Sequence, residues 1–292
     1  MTAAPAALRV PTVQTPVRRA LKVFFRTPSG VIGLALLLLV VFCTVFAPYV
    51  APYDPIKYTP IDRMQGPNLR HLLGTDLYGR DLLSRIIYGG RISLAVSTIS
   101  ISLALTFGGW LGVLAGYYLG WVDTVIMRIT DVFLAFPAIL LAIALLAFLG
   151  GGFWNLTLAI AIAYAAPFTR VVRAAVIRTR DTMYVEASTA LGAGDSRLLL
   201  RHVLPNAAGP VLVELTLRLA YAILAEAALS FLGLGTQPPA PAWGQMIADG
   251  RPFLELNPWV SVAPGLAIMV TVLGFNLLGD ALRDALDPRL NR

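Results

Sequence analysis

Cysteine occurs once in this chain, at Cys43, and histidine twice, at His71 and His202. A single thiol excludes an internal disulfide and a cysteine-built metal cluster, and two histidines so far apart offer no ligand spacing. Lysine occurs only at Lys22 and Lys57. Neither lies in a Gly-Lys-Ser/Thr sequence, so there is no Walker A phosphate loop, and any nucleotide hydrolysis falls to another chain. Gly-x-Ser-x-Gly and His-Glu-x-x-His are also missing, which removes the common hydrolase and metalloprotease constellations. Charge is scarce too: 13% of residues are charged, against about 25% in soluble domains.

What fills the chain is apolar. Hydrophobic residues make up 57% and mean hydropathy is +0.73. Several uncharged runs exceed the roughly 20 residues that cross a hydrocarbon core as a helix, so an all-α polytopic membrane protein is expected. The net charge of +7 therefore reflects Arg-rich loops on one membrane side, not nucleic-acid binding.

Residues 1–28 form a basic Pro/Ala-rich tail without acids. The run Val31–Val50 is longer than the roughly 7–15 residues of a signal-peptide core, and prolines flank any cleavage site, so a retained first helix over 29–50 is expected. A polar loop covers 51–91, and the remaining spans lie in a core over 92–282. Ile92 to Val122 is uncharged for 31 residues and supplies the second helix. Val132 to Thr169 is uncharged for 38 residues, too long for one span, and Gly150-Gly151-Gly152 divides it into helices three and four. A fifth stretch covers 206–234 and a sixth helix 259–278, with a tail over 283–292. Six spans put both termini on one side. Fifteen basic residues then fall on that side and seven on the other, which favours cytoplasmic termini.

The charged stretch 170–205 interrupts these runs. Asp181 is a candidate helix cap. Tyr184, Ala187, Ser188 and Leu191 then recur at the spacing of one helical face, and Gly192 fits the left-handed residue that ends a helix. Asp195 is a candidate cap for a second short helix carrying Leu198, Leu199 and His202, with Pro205 at the first turn of the next span. From periodicity alone, a hairpin resting on lipid headgroups accounts for the pattern equally well.

Residue identity separates the two. Glu186-Ala187-Ser188, Gly192 and His202-Val203-Leu204-Pro205 resemble the EAA loop of ATP-binding-cassette (ABC) importer permeases, with Ser for the second Ala and His for Ile. In that family the loop docks on the ATPase subunit. The resemblance thus implies an ATPase-coupling surface made of Tyr184, Glu186, Ala187, Ser188, Leu191, Gly192, His202 and Pro205.

Residues 74–94 carry Thr75 or Asp76 as candidate caps, and the i,i+4 pairs Asp76–Arg80 and Asp81–Arg85 on a solvated helix leading into span two. Together with Leu229–Pro239, Trp243-Gly244 and Gly279–Pro288, this segment is similar to the C-type permease of dipeptide and oligopeptide importers. Relatives there also import glutathione, nickel complexes or oligosaccharides. The resemblance implies a type I importer fold of six transmembrane helices, an N-terminal helix before a five-helix core. It also implies a bacterial or archaeal inner or plasma membrane location. The implied partners are a homologous second permease, two ATPase subunits and an extracytoplasmic peptide-binding protein. ATP and Mg would sit on the ATPase subunits, with no cofactor or metal on this chain.

Three charges lie inside the apolar stretches. Glu214 and Arg218, four apart, are expected to pair, either lining the translocation path or as a structural pair near the cytoplasmic end of the span. Glu226 has no local partner and is a candidate for the same path. The Gly/Pro-rich 233–244 segment is expected at the extracytoplasmic mouth, where a delivering protein would touch Trp243 and Trp259. The rival readings are a self-sufficient secondary transporter, for which an internal repeat is missing, and a membrane-embedded enzyme.

Overall fold

The structure, a computed structural model, describes residues 16–286. The first part of the basic tail and the last residues of the C-terminal tail lie outside that range. Among the described residues twelve α-helices follow in order: α1 Pro16–Arg26, α2 Pro28–Val45, α3 Ala47–Val50, α4 Leu82–Tyr118, α5 Gly120–Leu134, α6 Ala138–Leu149, α7 Phe153–Arg180, α8 Met183–Ala190, α9 Asp195–Leu198, α10 Leu204–Phe231, α11 Trp243–Gly250 and α12 Trp259–Leu286. Among the described residues there is no strand, only an isolated bridge between Thr75 and Asp81.

Four helices (α2, α4, α7 and α12) are long and apolar enough to span a membrane, and the bent pair α5–α6, counted as one span, makes a fifth. The sixth expected span is α10. It has 28 residues and packs on α4, α7 and α12, but Glu214, Arg218 and Glu226 dilute its apolar character.

The spans begin and end elsewhere than their uncharged runs suggest, because charges find partners. The second span starts at Leu82, ten residues before the expected Ile92. Asp81, not Thr75 or Asp76, caps it, accepting from the Ser84 backbone N–H at 2.8 Å and from the Ser84 hydroxyl at 2.7 Å. Arg91 is accommodated within α4 by donating to Thr44 O at 2.9 Å and Val45 O at 3.0 Å, the otherwise open carbonyl end of α2.

The third span also starts early, at Gly120, since Asp123 binds Arg173 and Asp131 binds Arg170 at 2.7 Å, both on α7. It then bends by 87° between Leu134 and Ala138, where Pro137 lacks the N–H that a continuous helix needs. The three glycines do separate α6 from α7, as expected. At the C-terminus α12 runs to Leu286 rather than stopping near 278, so residues 283–286 of the expected tail are helical.

The central core lies between α4, α6, α7 and α10, where Ile101, Leu146, Leu156, Ile160, Phe168 and Leu229 are buried. Along α4, Gly108, Gly112 and Gly116 make one stripe against the α7 backbone. A Cβ on Gly112 would lie 2.6 Å from Thr169 O and one on Gly116 2.8 Å from Arg173 O. Small residues at this spacing let two helices approach closely where burial from water supplies no drive. Outside the core, α2 lies along α12, and Phe24 of α1 packs on Ala281 and Ala285. The N-terminal helix and the end of α12 therefore share one end of the bundle.

Candidate functional site

The hairpin from Asp181 to Val203 hangs from the ends of α7 and α10. Three apolar side chains fasten it: Val185, Leu198 and Val203 are buried with Val113 of α4 and Val172 and Val176 of α7. Tyr117 at the end of α4 donates its hydroxyl to Asp195 Oδ1 at 2.8 Å, and the Arg180 guanidinium lies 5.8 Å from the Tyr117 ring centroid. Glu186 lines the open groove these residues border, of about 680 Å³.

The capping roles differ from those expected. α7 continues through the charged stretch to Arg180, so Asp181 terminates α7 and Thr182 stands before α8. Gly194 precedes α9 and Asp195 is its first residue, with its carboxylate turned to Tyr117. Gly192 has φ of +81°, the left-handed conformation expected there.

The second short helix is not separate from span five. Residues Leu199–Val203, which include His202, form a single π turn joining α9 to α10. Pro205 explains it: the residue lacks an N–H and its ring crowds the carbonyl four residues back, and a widened turn relieves both.

The face picked out by periodicity points away from the bundle. Tyr184, Glu186, Ala187, Leu191 and Gly192 are exposed, with Leu191 at 89%, and neighbouring Met183 is at 85%. Ser188 and His202 are half-buried and Pro205 is exposed. The Tyr184 and His202 rings come within 6.4 Å. Met183, Tyr184 and Leu191 are thus large side chains left open on an element fastened from beneath by Val185, Leu198 and Val203.

Within α10, Arg218 Nε donates to Glu214 Oε1 at 2.6 Å, and the guanidinium lies 5.8 Å from the Tyr164 ring and 5.9 Å from that of Tyr221. The pair is about 15–21 Å along α10 from its start, nearer the middle than the end of the helix. Glu226 is 0% exposed within this chain; its Oε1 accepts from Ser230 at 2.8 Å and its Oε2 has no partner among the described residues.

At the opposite end, the loop 51–81 and α11 form a cap in which Asp76, Arg80, Asp81 and Arg85 are buried, contrary to the solvated helix expected. Asp76 Oδ2 accepts from Arg80 Nε at 2.6 Å and lies 3.5 Å from Arg85 Nε. Asp76 and Arg80 sit in a turn before α4, and the expected Asp81–Arg85 pair is replaced: His71 Nδ1 lies 2.9 Å from Asp81 Oδ1. Trp243, expected at an open mouth, is 1% exposed and donates through Nε1 to Ile86 O at 2.9 Å. Its large apolar ring fills the gap between α4 and α11, while Trp259 remains partly exposed.

Known proteins place this arrangement. Residues 108–292 match the family described as binding-protein-dependent transport system inner membrane component, and residues 15–67 match the N-terminal TM domain of oligopeptide transport permease C. A dipeptide transport system permease protein of Alkalihalophilus pseudofirmus is 44% identical over 96% of this chain and 92% of its own. A di/tripeptide transport system permease protein of Pseudomonas aeruginosa is 46% identical, covering 94% and 93%. A glutathione transport system permease protein of Pectobacterium atrosepticum is 44% identical, covering 97% and 94%. Among solved structures, an inward-facing MetNI methionine ABC transporter chain shares the fold with a TM-score of 0.58 at 20% identity, covering 70% of this chain and 96% of that one. The chain belongs to the binding-protein-dependent transport system inner membrane components, the permeases of ABC importers.

Proposed function

We propose that this chain is the transmembrane subunit of an ABC importer that moves dipeptides and short oligopeptides into a bacterial or archaeal cell, driven by a separate ATPase docked on the hairpin. The carrying observation is that hairpin. It is pinned to α4 and α7 by Val185, Leu198 and Val203, yet presents Met183, Tyr184, Glu186, Ala187 and Leu191 outward. A surface exposed on one side and rigidly fastened on the other transmits force. Docking shifts the spans only if the hairpin binds the two motor states with different free energy.

In this reading a homologous second permease faces this chain, the path runs between them, and Glu214 and Arg218 border it. Two ATPase subunits carry ATP and Mg. An extracytoplasmic binding protein delivers the peptide, and α1 and the end of α12 lie on the cytoplasmic side. The peptide cargo rests on the names of the relatives above.

The deciding experiment is co-purification of the ATPase with Glu186→Lys and with wild type, alongside peptide uptake in proteoliposomes. Loss of both in the variant supports the reading. Uptake by the purified chain alone, without an ATPase, overturns it in favour of a secondary transporter.

A further inference from the structure

A cavity of about 240 Å³ lies in the cap, between the turn 76–85, the segment 238–245 and α11. α4 starts beside it at Leu82 and ends at Tyr118 beside the hairpin, so about 50 Å of helix separates the two. Its volume is below the roughly 300–1,000 Å³ of sites for drug-sized ligands.

Its charges are divided between two walls. On one, Arg80 and Arg85 share the single carboxylate of Asp76. Arg80 is held against the Tyr78 ring at 4.6 Å and the Tyr58 ring at 5.6 Å. That wall carries one uncompensated positive charge. On the other, Asp249 has no cation within salt-bridge distance among the described residues, and neighbouring Gln245 has an Oε1 shut off from solvent with no hydrogen-bond partner. Partial enclosure raises the Asp249 carboxyl above its ordinary value, outweighing the more distant Arg85 and Arg80. A buried acceptor without a donor is costly and is ordinarily satisfied by something.

We propose that this cavity binds a small zwitterion through both charged ends, its carboxylate toward Arg80 and Arg85 and its ammonium toward Asp249, with the Gln245 side chain turning to bring Oε1 to it. A short peptide has this chemistry, with its termini about 7 Å apart for two residues. The inference rests on the peptide-importer reading for the choice of probe, and adds to it a cargo-sized site on the cap of this subunit. The tyrosines bordering the cavity offer apolar area to any side chain without selecting one.

The test is calorimetric titration of the complete importer, reconstituted in lipid nanodiscs without its binding protein, using dialanine, N-acetyl-dialanine and dialanine amide. Dialanine is expected to bind, and blocking either terminus to weaken it about ten-fold. Asp249→Asn, at the open rim, is expected to bind dialanine no better than N-acetyl-dialanine while ATPase co-purification stays normal. Gln245→Leu is expected to weaken dialanine and dialanine amide, which share the free ammonium, and to leave N-acetyl-dialanine unchanged. Equal binding of all three probes, or unchanged dialanine binding in Asp249→Asn, overturns the proposal. So does absence of dialanine binding, including the case in which Asp249→Asn instead weakens binding-protein docking. Those failures leave the importer reading intact, because ATPase-dependent uptake is measured separately.

Discussion

Tyr117 and Asp195 are 78 positions apart in sequence, yet the tyrosine hydroxyl donates to the carboxylate at 2.8 Å. The bond links the longest membrane helix, 37 residues, to the first residue of α9 in the hairpin. It is the polar counterpart of the Val113–Val185–Leu198 contact beneath it.

Replacing Tyr117 with Phe removes that bond and little else. A net loss of about 1 kcal/mol corresponds to roughly a five-fold change in an equilibrium. Uptake per ATP hydrolysed is expected to fall several-fold while the complex assembles normally. Unchanged coupling in proteoliposomes would remove this bond from the transmission route.

Gly192→Val puts a β-branched residue at φ +81°, at a cost of about 1–2 kcal/mol. An added Cβ there meets nothing within 4 Å, so the defect is in backbone shape and in the hairpin's exposed surface rather than packing. ATPase co-purification is expected to drop sharply. Gly194→Ala, at φ −70°, is expected to retain it, and equal losses in the two variants would contradict the backbone argument.

Trp243 is a packing residue. Trp243→Ala is expected to destabilise the complex by about 3–5 kcal/mol, seen as a lower melting temperature and less chain in the membrane. Trp243→Phe keeps most of the ring volume and loses the bond to Ile86 O, costing nearer 1 kcal/mol. A Trp243→Ala variant of normal stability but weak binding-protein affinity would return this residue to the mouth.

Glu226 is enclosed by its own bundle. Glu226→Gln is nearly isosteric and preserves an acceptor for Ser230, so stability and uptake are expected near wild type. Glu226→Ala leaves a cavity and strands that hydroxyl, at about 2–3 kcal/mol. A Glu226→Gln complex that assembles and melts normally but fails to import would show that the carboxylate serves the path.

Much of this architecture was legible in the chain. Uncharged runs located the spans, Gly150-Gly151-Gly152 marked a break, and the Glu186-to-Pro205 pattern located the hairpin and its left-handed glycine. Boundaries read from charge alone differ from the structure where a charged residue stays inside a helix. Asp123 and Asp131 stay in α5 because Arg173 and Arg170, 50 and 39 residues later, meet them. The stripe Gly108, Gly112, Gly116 is visible in the sequence as a four-residue spacing. Its meaning depended on the α7 backbone lying against it.

Alone, the order of residues determined that this chain lives in a membrane, roughly where it crosses, and where an amphipathic hairpin interrupts the spans. Hydropathy and local spacing are properties of neighbouring residues, so they survive without a fold. Tertiary structure decided which charges are neutralised by partners far along the chain. It made Trp243 core rather than contact, turned Tyr184 and Leu191 outward, and divided the cap's charges into two facing walls. Burial and ion pairing depend on distances between segments, and only packing sets those.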